Sequence, residues 1–250
     1  MTSSESTLFG DGITNESHSG DKSLRWSFDN GTAENFPSHV KRSVPGYEIG
    51  HELICKLSDF FVHDSSTVIE LGSSCGDLIA NIHRRHQELG IKCLGIDAIE
   101  EMTSSAKARH LLQDTENSLV FETDDIVTCE YPNSSLILSY YTIQFVHPSV
   151  RQKVFDKIHK SLEWGGAFIL FEKVRAPDAR FQDIISQLYM EYKLSNGYTP
   201  DQIISKTISL KGVLEPFSSA ANIDMAMRSG FQDYYPIFKH ICFEGTLFIK

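Results

Sequence analysis

No apolar run in this chain approaches the roughly eighteen residues that a membrane-spanning helix requires, and nothing at its start reads as a secretory signal. The expectation is therefore a soluble, cytoplasmic protein with no membrane partner. Positive charge is also scarce. Lys and Arg number 23 against 33 Asp and Glu, a formal charge of −10, which argues against a broad nucleic-acid footprint and so against a direct nucleic-acid partner. The five cysteines (Cys55, Cys75, Cys93, Cys129, Cys242) are odd in number and scattered, and no Cys-x-x-Cys or His-x-x-x-His spacing suggests a metal ligand set. Cys55, Cys93 and Cys242 sit in apolar runs and read as buried thiols. Residues 1–23 lack large apolar groups and cannot offset the entropy of ordering, so a disordered tail is expected there and a single domain over 24–250.

What the chain does hold is a regular alternation of strand and helix patterns. Residues 34–43 read as a short helix ended by Val44-Pro45-Gly46. Ile49, Leu53, Ile54, Leu57, Phe60 and Phe61 form a helical apolar stripe. Strands are expected at Thr67–Leu71, Cys93–Ile96, Leu119–Phe121, Ser135–Tyr140 and Ala167–Phe171. Helices are expected from Asp77, over 99–112, and from a Ser149-x-x-Gln152 capping box to Gly165-Gly166. The architecture implied is α/β, a doubly wound, mostly parallel sheet with its ligand crevice at the strand C-termini. Residues 177–212 break the alternation and read as a helical insertion over that crevice, with Gly197 between its helices. A helix at 218–229 and two closely spaced strands, Phe231–Phe238 and Ile241–Ile249, imply an antiparallel closing hairpin. No internal repeat is present.

The first strand runs into Glu70-x-Gly72-x-Ser74-x-Gly76, and the second ends on Asp97. Small residues in such a turn let a ligand approach the backbone, and an acid at the next strand's tip can accept two ribose hydroxyls. The turn has the pattern of S-adenosylmethionine (SAM) binders rather than the Gly-x-Gly-x-x-Gly of dinucleotide folds. Gly72, Ser73 and Ser74 then face the methionine portion and Asp97 the ribose. After the third strand, Asp125 is placed to accept the adenine amino group and Ile126 to pack on the ring. Tyr140 ends the fourth strand, where an aromatic face suits a sulfonium. His147, Tyr140 and Glu172 are the candidate catalytic groups on the same rim. Phe181, Leu188, Tyr189, Tyr192 and Tyr198 of the insertion would shape a second pocket.

From Trp26 onward the sequence resembles the carboxy-S-adenosyl-methionine synthases. The likeness rests on Trp26-Ser-Phe-Asp29, Phe36-Pro37, Arg42-Ser-Val-Pro-Gly-Tyr47, Leu71-Gly-Ser-Ser74, Gly95-Ile-Asp97, Asp125-Ile126, Thr142-Ile-Gln-Phe145, Glu172-Lys173 and Asn196-Gly-Tyr198. It implies a dimeric, Rossmann-like class I SAM-methyltransferase fold that converts SAM, with prephenate, into carboxy-SAM for tRNA wobble-uridine modification. It also implies Tyr47, Gly72, Ser73, Ser74, Asp97, Ala98, Asp125 and Ile126 as SAM contacts. Two positions depart from the family: Tyr140 stands where it has Asn, and Thr207 in Ser205-Lys-Thr-Ile208 stands where its arginine binds the carboxylate of the carboxymethyl group. A neutral hydroxyl cannot replace a guanidinium's bidentate pair with a carboxylate. Taken alone, that loss makes the expected activity methyl transfer from SAM to a small-molecule acceptor, releasing S-adenosylhomocysteine, on a homodimer. The other readings are a retained synthase activity, with Lys206 or another base holding the carboxylate, and a non-catalytic SAM-binding protein.

Overall fold

The computed structural model describes residues 39–110 and 118–250. The expectations for the tail at 1–23, for Trp26–Asp29, for Phe36-Pro37 and for the end of the helix at 99–112 lie outside those residues. A helical turn at 39–43 leads into helix α1 (Tyr47–Leu57), strand β1 (Thr67–Leu71), α2 (Asp77–Arg85), β2 (Lys92–Asp97), α3 (Glu100–His110), β3 (Leu119–Thr123) and β4 (Ser134–Tyr140). There follow α4 (Pro148–Ser161), β5 (Leu162–Lys173), α5 (Ala179–Ser195), α6 (Pro200–Ser209), α7 (Ser219–Ser229), β6 (Asp233–His240) and β7 (Phe243–Ile249).

The strands form one seven-stranded sheet in the order β3-β2-β1-β4-β5-β7-β6, parallel except where β7 pairs with its two neighbours. Every residue of β4 is buried, as a central parallel strand covered on both faces must be. The pleat divides the core in two. Leu136, Leu138 and Phe171 pack with Ile54, Ile79 and Ile82 on one face. Ile137 and Phe168 pack with Phe155, Ile158, Phe231 and Phe248 on the other. The chain reverses its winding between β1 and β4, so the crevice opens above their C-terminal ends.

Three local expectations need correction. Gly165 and Gly166 do not end α4: the helix stops at Ser161, and both glycines lie inside β5, in the register shift between the Ser134–Leu162 and Leu136–Ala167 pairs. The capping box at Ser149 is also absent. Pro148 occupies the first helical turn, which makes His147 the N-cap, its side chain accepting from the Ser149 N–H. Gln152 instead reaches across to the Met225 carbonyl and the Ser229 hydroxyl of α7. In the apolar stripe, Ile49 and Phe60 are 62% and 79% exposed, because α1 turns Gly50 and Ile54 inward.

The insertion is two helices, α5 and α6, joined through Gly197 at φ +83°. Thr199 and Gln202 form the capping box that starts α6. The insertion is tied down by the segment before α1. Arg42 donates to the carbonyls of Asn196 and Gly197 at 3.0 Å and covers the Tyr198 ring, and Tyr189 donates to the Ser43 carbonyl at 2.9 Å. Two sequence signatures far apart in the chain, Arg42–Tyr47 and Asn196–Tyr198, therefore make one joint.

Candidate functional site

β1 ends at Leu71 and the chain turns at Gly72 with φ +76°. A side chain there would be strained, and its Cβ would fall 2.1 Å from the Thr142 Oγ1. The Gly72 and Ser73 N–H groups donate to the Ile96 carbonyl at 2.7 and 3.0 Å, which holds the loop against β2. Asp97 is 9% exposed, and each of its oxygens accepts one backbone N–H: Oδ2 from Ser74 at 2.9 Å, Oδ1 from Ile99 at 3.0 Å. One lone pair on each oxygen is left for a diol. Glu70 is buried and accepts from the Ile79 N–H, so it braces the start of α2, and burial pushes its carboxyl well above the usual range. Asp125 is exposed on the rim. Its Oδ1 accepts from the Val127 N–H at 2.8 Å, beside the buried Ile126 and across from Ala98.

The opposite wall is aromatic. Tyr140 lies 5.1 Å from Tyr47, 4.6 Å from Tyr141 and 4.8 Å from His51, centroid to centroid. The Tyr140 hydroxyl donates to the Tyr47 carbonyl at 2.6 Å, and a Cβ on Gly50 would sit 2.2 Å from that oxygen. The tyrosine therefore fits only because α1 presents a glycine to it. Burial pushes the pKa of Tyr140 far above that of an ordinary phenol, so its hydroxyl stays protonated and is a donor and a wall, not a base. Burial likewise pushes His51 down to about 4, leaving a neutral imidazole near pH 7. Among the described residues, His51 Nε2, Ser73 Oγ, Ser139 Oγ, Tyr141 Oη and Glu172 Oε1 are buried without a hydrogen-bond partner. His51, Ser73 and Tyr141 line the cleft. Tyrosine faces, neutral imidazole and acidic groups suit a ligand that carries a cationic centre and a diol.

Tyr141 holds a positive φ of +62°, a conformation that costs a non-glycine residue on the order of 1–3 kcal/mol. Gln144 supports it, donating to the Tyr141 carbonyl at 2.9 Å while its Oε1 accepts from the Lys173 N–H at 3.0 Å. Arg151, 1% exposed, donates to the carbonyls of Val146 and Gln144 at 2.8 and 3.0 Å and stacks on Phe217. Glu172 is 4% exposed, and burial pushes its carboxyl up to about 8, against the pull of Arg151 and of the Ile143 and Gln144 N–H groups. Glu172 thus sits behind the rim and secures the turn that presents Tyr141 and Thr142, instead of facing the crevice as expected from the sequence. His147 is exposed at the mouth, its Nδ1 2.7 Å from the Ser149 hydroxyl. Two of these groups were not singled out by the sequence: His51, one turn beyond Tyr47, and Arg151, in the first turns of α4.

The Glu172 environment predicts a pH effect on stability. Its carboxyl binds a proton more tightly in the folded chain than in the unfolded one, so this group's contribution is fully present below the ordinary carboxylate range and is lost as pH rises toward about 8. Glu172→Gln should therefore flatten the decline in melting temperature between about pH 5 and pH 8. Parallel profiles for the two proteins would remove the assignment.

The cleft holds about 1740 Å³, beyond the roughly 300–1,000 Å³ of a typical single-ligand site, so a second small molecule has room beside a nucleoside. Thr207 offers it little: its hydroxyl is spent on the Ile203 carbonyl of its own helix at 2.8 Å. Lys206 lines the cleft half-buried, and burial pushes its ammonium down to about 6. Among the described residues no group of His, Cys, Asp and Glu could hold a metal, and no helix is long and apolar enough to cross a membrane.

No family model matches the sequence. A carboxy-S-adenosyl-L-methionine synthase from Staphylococcus epidermidis is 33% identical over 231 residues, covering 91% of this chain and 98% of the relative. The synthase of Hydrogenovibrio crunogenus is 30% identical over 225 residues, 90% of this chain and 89% of its own. The chain belongs to the carboxy-S-adenosyl-L-methionine synthase family. Solved structures are similar at the level of fold. A putative O-methyltransferase from Nostoc punctiforme has a TM-score of 0.60 at 14% identity, and human N-acetylserotonin methyltransferase in complex with SAM has 0.56 at 15%. The alignments span 87% and 90% of this chain but only 60% of either neighbour. The fold is the Rossmann-like class I SAM-methyltransferase fold. The synthase relatives overturn the expectation of methyl transfer to a small-molecule acceptor. That expectation rested on Thr207 alone, whereas the likeness to the synthases runs along nine-tenths of the chain.

Proposed function

We propose that this chain binds SAM and converts it to carboxy-SAM, taking the carboxyl group from prephenate as the family resemblance implies. The observation that carries this is the 33% identity to a named synthase along 91% of the chain. The cleft supports it, with Asp97 for the ribose hydroxyls, Asp125 and Ile126 for adenine, and the Tyr47–Tyr140–Tyr141 wall beside the sulfonium. SAM supplies a methyl carbon whose C–H bonds the adjacent sulfonium makes acidic. Overall, one C–H pair of that methyl becomes the new C–C bond to the carboxyl carbon. The pair freed from the broken donor C–C bond expels the ring hydroxyl, which leaves as water with the methyl proton, and phenylpyruvate remains. The protein's part is to hold both molecules together and to exclude water. The Tyr140 hydroxyl, committed to Tyr47, does not take the proton. The donor's own departing hydroxyl balances it, so the exposed His147 is not required as a base.

We propose that the homodimer implied by the resemblance forms through the insertion. Phe181, Ile184, Leu188 and Leu194 of α5 and Ile204 and Ile208 of α6 are each more than 40% exposed. No disulfide joins the five cysteines, which fits a reducing, cytoplasmic compartment. The net charge of −10 fits a small-molecule substrate without direct nucleic-acid contact.

Mass spectrometry of the small molecules released by denaturing the purified protein, before and after incubation with SAM and prephenate, tests the reading. Carboxy-SAM in the pool, with phenylpyruvate formed in step, is expected. SAM unchanged after incubation with prephenate would overturn it.

A further inference from the structure

The cleft's polarity is uneven. Near the glycine loop it carries Glu70, Asp77 and Asp97; on the insertion side it carries Lys173, Lys193 and Lys206. Two of these lysines share one ring. The ammonium nitrogens of Lys173, at the end of β5, and Lys193, in the last turn of α5, each lie 4.5 Å from the centroid of Tyr189. They are thus no further apart than twice that distance. Tyr189 is itself fixed by its bond to the Ser43 carbonyl and by edge contact with Phe243. Among the described residues neither lysine makes an ion pair, although the chain carries ten more acidic than basic side chains. The charged groups beside them are each other and, for Lys173, Arg175; the buried Cys242, held as a neutral thiol, is their other titratable neighbour. Burial, with Lys173 alongside, pushes Lys193 down to about 8, the state of a cation held without its counter-ion. A ring face attracts one ammonium usefully, but two on one ring still repel, and an anion between them relieves that repulsion.

We propose that Lys173 and Lys193, set on Tyr189, form the site for a carboxylate of the carboxyl donor. The assignment rests on the synthase reading above. It gives an acidic co-substrate a positive seat on β5 and α5, for the carboxylate that is not transferred and apart from the α6 position where Thr207 stands in place of the family's arginine. A donor with two carboxylates can present one to this pair and turn the other toward the SAM methyl. The compact ammonium pair gives charge without the guanidinium's fixed fork, so tolerance of variation in the donor carboxylate should be wider than an arginine site allows.

The test is calorimetric titration of the SAM-loaded protein with prephenate, and separately with phenylpyruvate, for the wild type, Lys193→Met, Lys193→Gln and Lys193→Arg. Lys193→Met keeps the apolar stem and should leave the melting temperature and SAM affinity unchanged. Affinity for both probes is expected to fall at least tenfold in the Met and Gln variants and to stay within about threefold in Lys193→Arg. Unchanged probe affinity in Lys193→Met or Lys193→Gln, in a protein that still forms carboxy-SAM, removes this site and leaves the synthase reading standing. Charge-dependent probe binding without any carboxy-SAM formed keeps the anion site and removes the synthase reading. Wild-type protein that binds neither probe overturns the site outright.

Discussion

Asp97→Asn is expected to weaken SAM binding by about 100- to 1,000-fold, with the fold retained. Both carboxylate oxygens already accept a backbone N–H, from Ser74 and Ile99. An asparagine of the same shape must turn its amide nitrogen toward one of those donors, which leaves two donors facing each other in a site that is 9% exposed. The remaining oxygen can serve only one ribose hydroxyl, and without the charge. Two ribose bonds to a charged group, each contributing about 1.5–3 kcal/mol, are weakened or lost; the unsatisfied backbone donor costs the free and bound protein alike and does not enter Kd. A net loss of about 3–4 kcal/mol follows, which is the stated factor in Kd. Titration calorimetry with SAM and with S-adenosylhomocysteine measures it. Equal losses for both ligands are required, because the ribose is common to them. A loss under fivefold would mean that Asp97 only braces the loop.

Arg151→Met should cost about 3–5 kcal/mol of stability, on the order of 10 °C in melting temperature for a domain of this size. The guanidinium is fully enclosed, donates to two carbonyls of the 144–146 turn and faces Glu172. Removing it takes the Arg151 donor from the Val146 carbonyl, leaves the Gln144 carbonyl with only the Glu215 N–H, and leaves the Glu172 carboxyl with only its backbone donors. Most of the cost is the group left behind, so the double variant Arg151→Met with Glu172→Leu should recover part of the loss. Additive destabilisation in that double variant would show that the two do not act on one another. Thermal unfolding followed by circular dichroism at fixed pH decides it.

Much of the fold and half of the site could be read from the residues alone. Strands such as Thr67–Leu71 and Ser135–Tyr140 are apolar runs bounded by turn residues, and they form as expected because their burial on both faces leaves no alternative period to confuse the pattern. The glycine loop with Asp97 is a local signature, one strand and one turn on each side. What escaped is what depends on distant parts meeting. Nothing near Arg151 signals that its charge is enclosed, since its partners Phe217 and Glu172 come from other elements. Nothing in the sequence around Lys193 marks it, and only the packing of α5 on β5 brings it to Tyr189 beside Lys173. The error about chemistry had the same origin. Thr207 shows in the sequence as a missing contact, whereas Lys173 and Lys193 reach the cleft only through the fold. The glycine pair at 165–166 misled for a different reason: a β-bulge and a helix stop both call for positive φ, and Gly165 at φ +79° satisfies either.

At the far end of the sheet, β6 carries Pro236 and a register shift between Pro236 and Phe238, with Tyr234 and Tyr235 turned outward. Proline has no N–H to donate and the bulge twists the strand out of line, so another chain cannot continue the hydrogen-bond ladder there in register. The aromatic surface on this rim is thus shielded from strand-to-strand polymerisation by backbone geometry alone, and contact with another copy at this edge falls to side chains.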